Sequence, residues 1–152
     1  WKAMEELHKE GKIKAVGVSN FESGQIDQLT ADGGMKPALN QIETHAFFQQ
    51  SKAESALKQN GIQMEGWSPF AEGRNGLFTN KTLTAIGAKH KKSAAQVSLR
   101  WMIQRGIVVI PRSSQKVHIK ENIDIFDFEL DAADLRSLAA LDLNITQFPE
   151  WG

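Results

Sequence analysis

The sequence predicts an α/β fold in which four parallel strands alternate with helices. Apolar, strand-like segments start near residues 13, 38, 62 and 106, and a segment with helical spacing follows each of them. Such alternation favours a parallel sheet with right-handed crossovers. Two architectures fit this pattern: an open doubly wound sheet, or part of a closed (β/α)8 barrel.

Polar side chains at the ends of all four predicted strands favour the barrel. These side chains belong to Ser19–Asn20, Gln41–Glu43, Trp67–Ser68 and Arg112–Ser113. Because ligand sites of such barrels gather at the C-terminal ends of the strands, we expect these residues to share one face. An open nucleotide-binding sheet would instead carry a Gly-rich fingerprint after its first strand, and this sequence has none.

The helices are predicted from apolar spacing and from capping residues. Apolar side chains at helical spacing predict an amphipathic helix over residues 1–10. Ser93 is the predicted N-cap of a helix that runs to Gln104, and Asp131 caps the last helix with Asp134 at the capping-box position. The remaining helices are predicted from Ser23 to the Gly33–Gly34 pair, over Lys52–Gln59, over Thr82–His90 and from about Gln115.

Four short runs of branched and apolar residues are the predicted strands. The last run is wholly β-branched, so we expect it to be buried on both faces, and Pro111 ends it because proline has no backbone donor. Residues 71–80 are rich in Gly and Asn and are expected to form a mobile loop. The strands are predicted over Ile13–Val18, Pro37–Glu43, Ile62–Trp67 and Ile107–Ile110.

The turn after the fourth strand predicts a site for an anion. Arg112 offers a planar fork of donors, and Ser113 and Ser114 offer hydroxyl and N–H groups. A helix that starts near Gln115 directs its positive end to the same place. We interpret this turn as a phosphate site, and a solvated turn is the alternative that these residues alone leave open.

The first turns of the helix that follows carry further polar side chains. His118, Glu121 and Asn122 share one helix face because they are three and four residues apart. Beside a phosphate site, such a face favours the binding of a whole nucleotide. An exposed, solvated helix face is again the alternative.

The composition excludes several classes of protein. The 152 residues carry 18 basic and 18 acidic side chains, so the net charge of zero predicts neither a nucleic-acid nor a membrane-surface partner. The absence of cysteine excludes disulfides and thiolate chemistry and suits a cytoplasmic protein. The chain starts at Trp1 within a helical pattern, and we therefore expect it to be the second part of a longer protein.

No constellation in the sequence predicts a metal centre or a nucleophile. The histidines do not have the spacing of metal ligands. His8 and His90 are expected on exposed helix faces, and His45 in a loop near the entrance of the site. Ser19 and Ser68 lack the flanking glycines of a nucleophile elbow.

Motifs at all four strand ends resemble those of the aldo-keto reductase family. They are Gly17–Phe21, Asn40–Glu43, Trp67–Phe70, and Ile110–Ser113 with Glu121–Asn122. Their order matches strands five to eight of the family's (β/α)8 TIM barrel. The resemblance therefore implies that residues 1–152 are a single partial domain, the C-terminal half of the barrel. The stretch Trp67–Gly73 is similar to a bacterial branch related to diketogluconate reductases.

The resemblance implies a site for NADP(H). It also implies which residues bind the nicotinamide end of the cofactor. Ser19, Asn20 and Gln41 match positions that hydrogen-bond the nicotinamide carboxamide, which is a positioning role. Trp67 stands where the family usually has a Tyr stacked on the nicotinamide, and an indole offers at least as much stacking area.

The same resemblance implies which residues lie beside the pyrophosphate of the cofactor. Ser68, Pro69 and Phe70 match residues beside it, and residues 71–75 match a loop that folds over it.

The last of the four motifs implies which residues bind the adenosine end of the cofactor. Arg112 replaces the family's common Lys at the 2′-phosphate, with Ser113 and Ser114 beside it, so a preference for NADPH is expected. His118 stands where the family often has an Arg. Glu121 and Asn122 match residues that hydrogen-bond the adenine amine.

The function implied is reduction of an aldehyde or a ketone by hydride transfer from NADPH. The family's Tyr proton donor and its Lys, Asp and His belong to the first half of the barrel, and this sequence contains no Tyr. Since Trp, Ser and Thr cannot replace a phenol as the acid, we assign no catalytic residue and expect these residues alone to be inactive. The alternative is a non-catalytic nucleotide-sensing or regulatory relative.

The resemblance also predicts what this protein interacts with. A small carbonyl compound is the expected substrate of the full-length protein. The strands near residues 13 and 107 would be long hydrophobic edges in a half barrel, so the isolated chain is expected to self-associate or to need the missing half.

Overall fold

Helices and strands alternate in the predicted order. The computed structural model describes residues 1–31 and 33–151. The helices are α1 (Lys2–Lys9), α2 (Ser23–Thr30), α3 (Ser51–Gln59), α4 (Lys81–His90), α5 (Ala94–Gln104), α6 (Lys116–Ile123) and α7 (Ala132–Ala139). The strands are β1 (Gly17–Ser19), β2 (Leu39–Glu43), β3 (Gln63–Trp67) and β4 (Val108–Val109), and 3-10 segments cover Ala71–Thr79 and Pro149–Trp151.

The strands form a sheet in the order β1-β2-β3-β4. β1 pairs with β2 in parallel. Gln63 N donates to Ala38 O at 3.0 Å and Thr44 N donates to Trp67 O at 3.2 Å, so β3 runs in the same direction as β2. The predicted α/β fold with four parallel strands is confirmed.

The described residues fall into two compact units. The first contains residues 1–42 and 51–65, and the second contains residues 43–50 and those from 66 onward. Helices α1 to α3 and strand β1 belong to the first unit, whereas α4 to α7 and β4 belong to the second. None of the helices in the described part of the chain is long and apolar enough to cross a membrane.

The first strand does not lie where the sequence predicts it. A strand over Ile13–Val18 is wrong, because β1 covers only Gly17–Ser19. Ile13 N instead donates to Leu7 O at 3.4 Å, so the residues that follow α1 are bound to the end of that helix.

Burial of the fourth strand on both faces is also wrong. Ile107 is 1% exposed, but Val108 and Ile110 are 42% and 44% exposed, and β4 has two residues. β4 is the last strand in the sheet order, so among the described residues it has a neighbouring strand on one side only. β1 and β4 are the edge strands as expected, although with three and two residues they are short rather than long.

The loop predicted over residues 71–80 contains hydrogen-bonded turns. Ala71 and Leu77 are 0% exposed, which a composition rich in Gly and Asn does not reveal. Asn80 is the N-cap of α4, and its side chain accepts hydrogen bonds from two backbone N–H groups. The mobility of this segment stays a prediction.

The predicted caps at Ser93 and Asp131 are confirmed. Ser93 Oγ accepts a hydrogen bond from Gln96 N at 3.3 Å, and Gln96 Oε1 accepts one from Ser93 N at 3.0 Å. Asp131 Oδ1 accepts from Asp134 N at 2.9 Å, and Asp134 Oδ2 accepts from Asp131 N at 3.2 Å. These reciprocal pairs fix the residues at which α5 and α7 begin.

His8 and His90 do not lie on exposed helix faces, contrary to the prediction. Both are half-buried. Nδ1 of His8 lies 3.0 Å from Ile13 O, and Nε2 of His90 lies 2.8 Å from Asp134 Oδ2. Helical spacing cannot show a carbonyl or a carboxylate that another segment brings to the helix.

His45 lies in the turn after β2, as predicted, but it is buried in the core and its predicted place near an entrance is wrong. Its side chain is fully buried, and Nε2 lies 2.8 Å from Glu43 Oε1. Phe47 N donates to Nδ1 at 3.3 Å, so Nε2 carries the hydrogen and donates it to the carboxylate. An antiparallel bridge between His45 and Phe48 closes the tight turn that contains this ring. Burial lowers the pKa of His45, although the neighbouring Glu43 opposes the shift.

Two helix glycines provide matched variants with opposite expected outcomes. A Cβ atom on Gly87 in α4 would lie 2.4 Å from the backbone oxygen of Lys92, whereas one on Gly24 in α2 would meet nothing within 4 Å. Gly87→Ala should therefore destabilise the protein by roughly 1–3 kcal/mol. Gly24→Ala should be neutral or stabilising by up to about 1 kcal/mol. Urea denaturation checks both, and equal stability of the two variants would contradict the close contact of α4 with the turn before α5.

The buried His45 should make the stability depend on pH. Its pKa in the folded protein lies below the value of about 6.5 of an unfolded chain. The folded state then binds fewer protons, so the stabilisation is complete above about pH 6.5 and is lost as the pH falls below it. His45→Gln should reduce this loss, measured as the change in urea midpoint between about pH 7.5 and about pH 5.5.

The control for this measurement is His8→Gln, which leaves the buried pair intact. An identical loss of stability in the parent and in His45→Gln would show that protonation of His45 does not oppose folding.

Candidate nucleotide site

A cavity of about 400 Å³ lies in the second unit, next to the starts of α5 and α6. It brings together six of the residues predicted from the sequence: Phe70, Arg112, Ser113, His118, Glu121 and Asn122. Four lining residues were not predicted to belong to a site: Phe78, Ser93, Ala94 and Ala95.

The helix α6 presents the predicted polar face to the cavity. His118, Glu121 and Asn122 all line it, as their three- and four-residue spacing predicts. The helix begins after Gln115, whose backbone is extended. Ser113 Oγ accepts a hydrogen bond from Gln115 N at 3.1 Å, and this contact fixes the turn that leads from Arg112 into the helix.

Several polar side chains of the lining have no partner in the part of the chain that the structure describes. In residues 1–31 and 33–151, no hydrogen bond or ion pair satisfies the side chains of Arg112, His118, Glu121 or Asn122. Arg112 is an exposed guanidinium with no carboxylate partner there, so an anion from outside the protein can become its partner. Glu121 and Asn122 offer acceptor oxygens, which suit an amine.

Aromatic and small side chains form the apolar part of the lining. The rings of Phe70 and Phe78 lie 5.6 Å apart and are tilted by 56° to each other. Ala94 and Ala95 are the first residues of α5, whose N-terminus adds partial positive charge at the cavity. Phe78 was missed because it lies in a segment predicted as a loop, and Ser93 because its capping role explained it without a ligand.

Other residues predicted for the site lie outside this lining. Ser114 is exposed, and Pro69 is buried. Ser68 adopts a φ of +50°, and its buried hydroxyl has no hydrogen-bond partner in the described part of the chain. An orphaned hydroxyl and a left-handed backbone are features of ligand sites, so Ser68 is consistent with a polar ligand nearby.

Trp67 is surrounded by aromatic residues from the C-terminal end of the chain. Its ring lies 5.3 Å from that of Phe148 and 5.6 Å from that of Trp151. The side chain is half-buried. Its predicted stacking on a nicotinamide is not tested by these contacts and stays a prediction.

The first unit brings Ser19, Asn20 and Gln41 together at the ends of β1 and β2. Ser19 Oγ donates to Gln41 O at 3.0 Å, and Asn20 N donates to the same oxygen at 2.9 Å. Gln41 Nε2 donates to Glu65 Oε1 at 2.6 Å. Glu65 is a neighbour that the sequence did not predict, and it orients the amide of Gln41.

This arrangement suits binding rather than bond making. The lining offers one cation, Arg112, one carboxylate, Glu121, and stacking surface, which together match a phosphate and a base. Within the described residues, no group of three or more His, Cys, Asp or Glu side chains could hold a metal ion.

The chain is similar to about half of several reductases. The glyoxal reductase of Bacillus subtilis is 46% identical over 142 residues, 93% of this chain and 51% of that protein. The methylglyoxal reductase DkgA of Escherichia coli is 42% identical over 142 residues, 93% of this chain and 52% of that protein. A crystal structure of a Bombyx mori aldo-keto reductase in complex with NADP has a TM-score of 0.89 and 32% identity, over 97% of this chain and 50% of that one.

The chain therefore spans about half the length of the curated relatives it matches. A sequence model of the Aldo/keto reductase family matches residues 1–143. This match confirms the resemblance predicted from the strand-end motifs, and the chain belongs to the aldo/keto reductase family.

Proposed function

We propose that this chain is the C-terminal, NADP(H)-binding half of an aldo-keto reductase that reduces aldehydes or ketones to alcohols. Residues 1–152 would then be a single partial domain, strands five to eight of a (β/α)8 barrel. The observation that carries the proposal is the cavity beside α6, because four of its polar side chains lack protein partners in the described structure. The coverage of about half of each relative supports the assignment to one half of the barrel.

The lining residues fit the adenosine end of NADP(H). Arg112, with Ser113 and Ser114 in the same turn, would bind the 2′-phosphate, and this role is favoured because no carboxylate among the described residues pairs with Arg112. Glu121 and Asn122 would accept hydrogen bonds from the adenine amine. His118 would contact the adenine or a phosphate from the same helix face.

The remaining predicted residues would hold the rest of the cofactor. Ser68, Pro69 and Phe70 would lie beside the pyrophosphate, and the unsatisfied hydroxyl of Ser68 is suited to a phosphate oxygen. Trp67 would stack on the nicotinamide. Ser19, Asn20 and Gln41 would bind the carboxamide, with Gln41 oriented by Glu65.

When bound, NADPH supplies a hydride for the carbonyl carbon. The proton for the carbonyl oxygen would come from a Tyr in the other half of the barrel, since this sequence has none. Because the relatives are named as glyoxal and methylglyoxal reductases, small dicarbonyl compounds are the first substrates to test. The two edge strands, β1 and β4, are where the other half or a second copy would pair.

A non-catalytic nucleotide sensor is the second candidate. It is favoured by one observation: the cavity is formed within a chain that lacks the family's proton donor. Turnover by the full-length protein distinguishes the two candidates.

Substitution of Arg112 should weaken the binding of NADPH selectively. Arg112→Met keeps most of the side-chain volume but removes the charged donors, and a hydrogen bond to a charged group contributes about 1.5–3 kcal/mol. We expect NADPH to bind about tenfold to a hundredfold more weakly and NADH to bind as before. Fluorescence titration with both nucleotides at constant salt measures the difference.

The control is Arg136→Met, which removes an exposed arginine of α7 outside the cavity lining. An equal loss of NADH and NADPH affinity in Arg112→Met would argue against a contact with the 2′-phosphate.

The 152-residue chain should bind NADPH without reducing a carbonyl compound. No phenol is present to protonate the oxygen, so hydride transfer lacks its acid. Loss of NADPH absorbance with methylglyoxal is the measurement, and the full-length Bacillus subtilis glyoxal reductase is the positive control. Turnover by this chain at a rate near that of the control would contradict the proposal that the catalytic residues lie elsewhere.

A further inference from the structure

Gln41 and Glu65 form a hydrogen-bonded pair on the more exposed face of the sheet. They belong to the neighbouring strands β2 and β3, and both residues lie in the first compact unit. Successive residues of a strand point to opposite faces, and Gln41 is half-buried between the buried Asn40 and Ile42. Glu65 is half-buried in the same way within β3. Because neither side chain is fully buried, the fold does not need this pair to satisfy a charge in the core.

The chemistry of the pair determines which end of the Gln41 amide faces the carboxylate. Gln41 Nε2 donates to Glu65 Oε1 at 2.6 Å. A carboxylate accepts hydrogen bonds but cannot donate them, whereas a primary amide has a donor end and an acceptor end. Only the NH2 group of Gln41 can therefore pair with Glu65, and the short distance is typical of a hydrogen bond to a charged group. The carbonyl oxygen of the amide is consequently turned away from Glu65.

The acceptor end of the Gln41 amide is left for a ligand. In residues 1–31 and 33–151, no donor binds Gln41 Oε1, and Glu65 has no further hydrogen-bond or ionic partner. The backbone carbonyl of Gln41 is already engaged, since it accepts from Ser19 Oγ at 3.0 Å and from Asn20 N at 2.9 Å. These contacts fix the main chain of Gln41, and Glu65 fixes its side chain. The result is one acceptor of defined direction, which suits a ligand that carries an N–H donor.

We propose that Glu65 is a positioning residue that holds the Gln41 amide with its oxygen toward the nicotinamide, and that this chain thereby selects a cofactor whose carboxamide presents an NH2 group. The inference rests on the proposed function, because it takes the ligand of Gln41 to be the carboxamide of NADP(H). Glu65 itself does not touch the cofactor. The two ends of an amide have nearly the same shape, so without Glu65 the amide can turn over and present a donor in place of the acceptor.

The binding test compares NADP+ with its analogue in which an acetyl group replaces the carboxamide. The acetyl group keeps the carbonyl oxygen but has a methyl group in place of the NH2 group. The parent 152-residue chain should bind the analogue about threefold to tenfold more weakly than NADP+, which is the factor expected for one hydrogen bond. Fluorescence titration at constant salt measures both affinities.

Glu65→Gln should abolish this discrimination. The substitution keeps the shape of the side chain, but the new amide can face Gln41 with either a donor or an acceptor. The Gln41 amide is then free to turn, and the ratio of the two affinities should fall to about one. The affinity for 2′,5′-ADP, which has no nicotinamide, should stay unchanged, so a general loss of structure is distinguished from a loss of positioning.

A second measurement observes the amide without any nucleotide. In proton–nitrogen NMR spectra, the side-chain NH2 signals of Gln41 are identified by their loss in Gln41→Leu. One of the two protons should lie downfield of its counterpart in the exposed Gln28, because it is bonded to a carboxylate. Glu65→Gln should remove this shift.

The matched control is Glu6→Gln. Glu6 is an exposed carboxylate of α1 in the same compact unit, and it makes no hydrogen bond to Gln41 or Glu65. Its substitution removes the same charge and should change neither the ratio of affinities nor the NMR signals of Gln41.

The outcomes separate the role of Glu65 from the proposed function. An unchanged ratio of affinities in Glu65→Gln overturns the selection of the carboxamide by Glu65. Ordinary positions of both Gln41 protons in the parent overturn the fixed amide, whether or not the variant folds. A parent that binds 2′,5′-ADP but does not discriminate between NADP+ and its analogue overturns the direction of the oxygen. A parent that binds neither NADP+ nor 2′,5′-ADP overturns the proposed function and the selection together, and the NMR signals then still decide whether Glu65 fixes the amide.

Discussion

Burial of the Glu43 carboxylate constrains the C-terminal part of this chain. A carboxylate removed from water is destabilising unless hydrogen-bond donors replace the solvent. His45, Thr146 and Gln147 supply those donors, and two of them lie more than a hundred residues further along the sequence. Because Gln147 also contacts the turn at Arg74, the buried carboxylate at the end of β2 is linked to the 3-10 segment that carries Phe78.

The charges of the second unit fall into two kinds. Lys89 and Lys92 each lie close to two aspartates, and these networks join α4 and the turn after it to distant segments. Arg112 has no such partner among the described residues, although it lies at the opening of a helix and beside a cavity. Paired surface charges contribute modestly to stability, whereas an unpaired guanidinium in a concave site is available to a ligand. This difference between paired and unpaired charges is why we assign the cavity beside Arg112 to the binding of a ligand.

The sequence predicts best what depends on neighbouring residues. The caps at Ser93 and Asp131 and the shared face of α6 follow from spacings of three and four residues, and all of them are found. The burial of His45 was not predictable, because its environment comes from distant segments. The exposure of Val108 was missed because a β-branched run does not show whether its strand has neighbours on both sides.

The most direct test of this account is a crystal structure of the chain with 2′,5′-ADP, an adenosine nucleotide that has the 2′-phosphate but no nicotinamide. We expect its 2′-phosphate to lie within hydrogen-bond distance of Arg112 and Ser113. We expect its base to lie between the side chains of Phe78 and Asn122. A ligand bound outside this cavity, or an Arg112 side chain that makes no contact with the phosphate, would contradict the assignment of a nucleotide site to this half of the protein.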